Sequence, residues 1–192
     1  MNTDILASKY ERYKQSLDHY LTQPIADALI AAVGGEQKVM TASFATNKDS
    51  GLAYDGSFVQ TTLMLTKYAV EINNLLPDEK KANKEELIKV CLISQIGKVV
   101  MFEPNTNQWE VTNRGILYGF NEGLEGALRL GERSILICNN AGVKFTAHEL
   151  EGMRILDKGN DDNYAKFFSC ALATIVKQAN ELITLTYSEK IK

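Results

Sequence analysis

The chain has 192 residues, 24 acidic against 21 basic, with 45 % apolar and 23 % charged residues. Those proportions describe one globular domain, long enough to bury roughly 70 % of the surface its unfolded chain exposes, so a core requires neither a disulfide nor a structural metal. A net charge of −3 and a pI near 5.5 argue against broad nucleic-acid binding, which depends on clustered Lys and Arg.

The opening residues, MNTDILASKYERYKQ, lack the apolar run and small-residue cleavage site of a secretory leader, and no stretch reaches the ~18 apolar residues of a membrane span. The chain therefore reads as a cytoplasmic protein with no membrane association. Cys91, Cys138 and Cys170 are odd in number and widely spaced, which suggests buried thiols and no metal knuckle.

Ile5 to Tyr20 places Ile5, Leu6, Tyr10, Tyr13, Leu17 and Tyr20 close to a 3.6-residue period, predicting an amphipathic helix. Pro24 fits the first turn of a second helix, Ile25 to Val33, which Gly34-Gly35 closes. Glu36 to Asp55 has no sustained period and reads as a loop of about twenty residues, a length that usually serves a site. Gly56 to Leu76 predicts a long core helix stopped by Pro77-Asp78. Asn83 caps the next helix, whose run from Leu87 to Ile93 is apolar nearly all round and belongs at the centre of a bundle. Beyond Gly97, the segments Val99-Val100-Met101-Phe102, Gln108 to Val111 and Gly115 to Tyr118 read as a small hairpin at about 99–119. Helical periods return at Leu124 to Asn139, Thr146 to Leu156 and Asp162 to Tyr187. The expected fold is all-α: one domain over 1–192, with N-terminal helices in 1–35, a core in 36–187, six to eight helices and a β-hairpin insertion.

Several short strings carry a family resemblance. Met40-Thr41-Ala42-Ser43, Tyr54-Asp55-Gly56, Leu92-Ile93-Ser94-Gln95-Ile96-Gly97-Lys98, Phe102-Glu103-Pro104-Asn105 and Val143-Lys144-Phe145-Thr146 resemble, in order and spacing, a branch of the HD-domain metal-dependent phosphohydrolases common in bacteria and bacteriophages. The resemblance implies an HD-like helical bundle and a phage source, with the host cytoplasm or a virion as its location. In that family imidazoles and carboxylates hold divalent metals that polarise a phosphoryl oxygen and activate water. Aligned on the strings above, the ligand positions fall at Thr61, Ser94, Gln95, Leu156 and Cys170, and the chain's two histidines, His19 and His148, lie elsewhere. Neutral side chains are poor ligands for a hydrolytic cation. The resemblance thus implies a pseudo-enzyme without metal or other cofactor, acting as a protein-interaction, regulatory or structural subunit with a protein partner or a second copy of itself.

One feature of the family's site persists: Lys98 occupies the lysine position after the His-Asp pair. With Arg133, Arg154, Gln60 and Gln95 it defines an alternative, a nucleotide- or phosphate-binding sensor without hydrolysis. The competing reading pairs the arginines with Glu132 and Glu151 and sets Lys98 at a helix end. A hydrolase with unorthodox ligands, for which Glu122, Glu125 and Glu132 are stray candidates, is the weakest alternative. A Cys170–His148 nucleophile and base pair has no third orienting residue. The acidic pairs Asp78-Glu79, Glu85-Glu86 and Asp161-Asp162 suit helix starts and loops better than acid–base chemistry. Tyr10, Tyr13, Trp109 and Tyr118, joined by Tyr20 and Phe120, are candidate interface anchors; otherwise the first helix packs on its own domain and the hairpin covers the former site.

Overall fold

The computed structural model describes residues 3–157 and 170–188. The first helix, α1 (Thr3–Leu21), buries Leu6, Tyr10, Tyr13, Leu17 and Leu21 at three- and four-residue intervals, the stripe of a helix packed on one side. Tyr10 and Tyr13 are therefore core residues and not the interface anchors their amphipathic chemistry suggests. Tyr13 is wholly buried, its ring meets Phe58 edge-on at 6.0 Å, and its hydroxyl donates to the Leu92 carbonyl at 3.0 Å. That carbonyl lies in a helix's last turn, where backbone oxygens lack intrahelical donors.

Pro24 opens α2 (Gln23–Ala32) as the missing proline N–H requires. The segment expected to be a loop is partly helical: α3 (Glu36–Thr41) buries Val39 and Met40, and a 3-10 turn forms at Lys48–Ser50, where the Asn47 side chain accepts from the Asp49 N–H at 2.8 Å. The apolar residues of α3 are too few to show a period, so tertiary burial makes the helix. Gly56, at φ 81°, precedes α4 (Ser57–Leu75). A Cβ there would stand 2.2 Å from Leu6 Cδ2, so only glycine lets α1 approach the start of α4. Ser57 ties the preceding segment down: its Oγ accepts from the Phe44 N–H at 2.8 Å and donates to the Leu52 carbonyl at 2.7 Å.

Asn83 caps α5 (Lys84–Ile93), its side-chain oxygen accepting from Glu85 and Glu86 N–H. Helix α4 packs lengthwise on α5 and on α9 (Ala171–Tyr187), and the shared core runs from Leu6 to Ile183. The last expected helix began at Asp162; 162–169, with the Asp161-Asp162 pair, lie outside the described residues.

The strands of the hairpin are shorter than expected. Val99 to Met101 belongs to α6 (Lys98–Met101), and the strands that pair among the described residues are β1 (Phe102–Pro104) and β2 (Tyr118–Phe120), antiparallel, with Phe102 opposite Phe120. The segment Gln108 to Val111, expected as strand, is helical, leading into a π-helical turn at Glu110–Arg114. Asparagine chemistry decides this: Asn107 accepts from Trp109 and Glu110 N–H at 3.1 and 3.3 Å, a local alternative to a strand ladder.

Helix α7 (Leu130–Asn140) starts six residues after its expected Leu124 start, because Asp157 Oδ2 accepts from Gly131 and Glu132 N–H at 2.7 and 3.3 Å. Thr146 and Glu149 form a capping box on α8 (Ala147–Arg154). Nine α-helical segments thus lie among the described residues, against six to eight expected; α3 and α6 are the short ones.

Glu149 also joins two helices. It is 2 % exposed, accepts from Thr146 N–H at 2.8 Å, and pairs with Lys89 of α5 at 2.9 Å; Lys89 faces the Phe145 ring. Replacing Glu149 with Ala removes the carboxylate half of the capping box, leaving the Thr146 hydroxyl on the backbone N–H of residue 149, and leaves the Lys89 ammonium half-buried without its carboxylate. We expect a loss of about 2–4 kcal/mol in urea unfolding, and Lys89→Met/Glu149→Leu together to recover at least half of it.

Candidate functional site

The α5 helix ends in a tight turn, and that turn builds the site. Ser94 N–H reaches the Val90 carbonyl at 2.8 Å, then Ile96 bonds Ile93 and Lys98 bonds Gln95 at three-residue spacing. Gly97 N–H donates to Ser134 Oγ of α7 at 3.0 Å. Gln95 and Lys98, one tight turn apart, consequently line one cavity of about 490 Å³ together with Asn180 of α9. Phe44, Leu130 and Leu156 supply apolar wall, and the Lys48–Ser50 turn contributes Asp49 and Ser50.

Gln95 is buried and its Nε2 donates to Asn180 Oδ1 at 3.1 Å. Lys98 keeps part of its surface open to the cavity, although protein surrounds the side chain. Its Nζ stands 3.3 Å from the centroid of the Phe44 ring, and among the described residues no carboxylate forms an ion pair with it. Burial pulls the Lys98 ammonium down to about 7, because a low-dielectric surrounding disfavours the charged form. The ring face works against that shift by attracting the cation.

The other residues singled out from the sequence do not converge here. Leu156 lines the cavity, but Thr61 and Ser94 are buried hydroxyls without hydrogen-bond partners among the described residues, and neither is among the lining residues. Gln60 accepts from Lys9 Nζ at 2.6 Å. Arg133, 8 % exposed, donates to the Glu125 and Gly126 carbonyls, both at 2.8 Å, and so clasps the loop before α7. Arg154 is exposed at the end of α8. Neither arginine reaches the cavity, nor pairs with Glu132 or Glu151 as the competing reading had it.

Cys170 is also elsewhere. It is the N-cap of α9, accepting from Ala173 N–H at 3.4 Å, and its thiol contacts the His148 backbone carbonyl at 3.8 Å and not the imidazole. Burial raises its pKa, which opposes thiolate formation. Burial likewise raises Cys91 and pushes Cys138 up to about 12. Tyr118 is buried with its hydroxyl donating to Asp55 at 2.6 Å, so of the candidate anchors Trp109 stays exposed, as does Phe120, at 63 % and 66 %.

The residue that sequence reasoning missed is Asn180. It stands between Val176, Ala179 and Ile183 of the buried stripe, and a polar side chain at the edge of such a stripe is the signal that marks it. The donor set of the cavity is a poor match for a hydrolytic metal: Asp49 is its one carboxylate among the described lining residues, the carboxamides and hydroxyls are weak neutral oxygen ligands, and the Lys98 ammonium offers none; no group of three His, Cys, Asp or Glu side chains able to hold an ion occurs among the described residues. No helix among them is long and apolar enough to cross a membrane. Comparison of the chain with protein-family models, with characterised proteins and with solved structures finds no match.

Proposed function

We propose that this chain is a catalytically inactive, HD-domain-like protein that works by binding: a regulatory, interaction or structural subunit whose cavity recognises a small phosphate-bearing ligand without hydrolysing it. One observation carries the reading, the meeting of Lys98 with the Gln95–Asn180 amide pair in a single cavity. An ammonium and carboxamide N–H groups are donors for phosphate oxygens, while the same set offers no activated nucleophile and no carboxylate pair for a metal. Lys98 is also a side chain whose burial opposes its charge, and such groups concentrate at functional sites.

A panel of nucleotides and inorganic phosphate, read by thermal melting, tests this. A ligand at a hundredfold its Kd stabilises the folded chain by about 2.7 kcal/mol, so we expect a rise of several degrees that Lys98→Ala removes. Binding should take up a proton near pH 8, because an anion beside Lys98 raises its pKa again; the calorimetric heat then varies with buffer ionisation enthalpy. Turnover of a phosphate ester that needs a divalent cation and stops with chelator would overturn the proposal.

Exposed Trp109 and Phe120 favour a second reading, a protein-interaction subunit that uses the hairpin. Its mark is a co-purifying partner, or a second copy of the chain, lost on Trp109→Ala with melting unchanged.

A further inference from the structure

We propose that the Lys98 amine is a reversible covalent anchor, forming an imine with a small polar aldehyde that enters the cavity beside Phe44. The inference rests on the ligand-binding reading of the same cavity and adds the chemical class of the ligand. An amine reacts with a carbonyl only through its free lone pair, so an ordinary lysine, titrating near 10.4, is almost wholly unreactive at neutral pH. Lys98 differs in its surroundings. Its ammonium faces an aromatic ring at 3.3 Å, and among the described residues no ion pair holds its proton.

Among the described residues Asp49 is the other ionisable side chain lining the cavity, on the Lys48–Ser50 turn, and burial is what lowers Lys98. That burial brings the amine to about 7, leaving a large neutral fraction at physiological pH. Access is present too: the side chain retains exposed surface, and about 490 Å³ lies within the ~300–1,000 Å³ of small-molecule sites.

The step balances without a redox partner. The Lys98 nitrogen attacks the carbonyl carbon, forming the C–N bond as a proton passes from nitrogen to oxygen by way of solvent. The resulting carbinolamine then loses its hydroxyl as water, taking one solvent proton. The nitrogen gives up its remaining proton and the C=N bond closes. The Gln95 and Asn180 carboxamides line the same cavity and offer N–H donors to the carbinolamine oxygen, and the Phe44 ring offers a face against which a planar imine stacks.

The test is competition among the lysines of the native chain. The full protein is treated at pH 7.5 with limiting glyoxylate and cyanoborohydride, which traps imines as stable secondary amines, and peptide mass spectrometry ranks the modified sites. We expect Lys98 to be trapped at least about tenfold faster than exposed Lys67 and Lys177, the preference shrinking as pH rises toward the ordinary lysine range. Equal or slower trapping at Lys98 overturns the imine. Lys98→Arg keeps the charge and removes the amine, so it should abolish the preferred site while retaining part of the phosphate-dependent melting shift. In the native chain, absence of preferential trapping at Lys98 with a phosphate-dependent melting shift present refutes the imine alone, whereas absence of both refutes the ligand reading as well.

Discussion

Lys98→Met should make the protein more stable at pH 6 by about 2–4 kcal/mol, a rise in melting temperature of roughly 5–15 °C. In the unfolded chain Lys98 titrates as an ordinary lysine; in the folded chain its pKa is lowered to about 7 by burial. The unfolded state therefore binds more protons between those two values, and stability rises with pH across that interval. Below pH 7 both states hold the proton and the full cost of a buried ammonium is present. Above about pH 10.5 neither holds it and the cost is gone. The whole shift would be worth more than the range given, but the Phe44 ring favours the cation and the open mouth of the cavity lets water screen it. Urea unfolding of both proteins from pH 6 to pH 10 is the measurement: the gap should narrow steadily and nearly close. A variant less stable than the parent at pH 6, or a gap independent of pH, would show that Lys98 is not held against its charge. The same variant should lose ligand binding, so stability and recognition would move in opposite directions at one residue.

Gly131→Ala is expected to cost about 2–4 kcal/mol. Gly131 lies in the first turn of α7, where α8 and the turn after it cross. A Cβ there would meet the Met153 carbonyl oxygen at 2.5 Å and the Asp157 carboxylate at 2.6 Å. The carbonyl belongs to backbone and cannot swing aside, and the carboxylate is fixed by accepting the Gly131 N–H at 2.7 Å. Relief requires the two helices to part, which opens the Met153 side of the core. Gly119→Ala is the control, since nothing lies within 4 Å of its Cβ; it should melt like the parent, and equal destabilisation of the two variants would rule out the crossing as the cause.

The helix ends written in local chemistry are legible without coordinates. Asn83 caps α5 through its own side-chain oxygen, Pro24 sits in the first turn of α2, and α4 ends at Leu75, just before Pro77-Asp78. These signals act within three or four residues, so the sequence alone contains their causes. The 3.6-residue stripe of α1 is equally plain, but its meaning for Tyr10 and Tyr13 is not: an amphipathic ring reads the same whether its hydroxyl meets water or, as with Tyr13, the Leu92 carbonyl seventy-nine residues away. The hairpin shows the limit from the other side. Runs such as Gln108 to Val111 suit a strand by composition, yet Asn105 and Asn107 bond the neighbouring N–H groups and turn the chain into a helix first.

The candidate site divides in the same way. The sequence by itself determined that this chain would be mainly helical and where most of its longer helices start and stop, because periodicity and capping are local properties; Lys98 is marked out by the resemblance alone. Only the tertiary structure decided that Asn180 and not Cys170 meets Gln95, that Arg133 is spent on two loop carbonyls, and that Lys98 faces a phenyl ring in a cavity. Those outcomes depend on how α5, α7 and α9 cross, and the crossing is set by the packing of side chains far apart along the chain, which no short window of sequence contains.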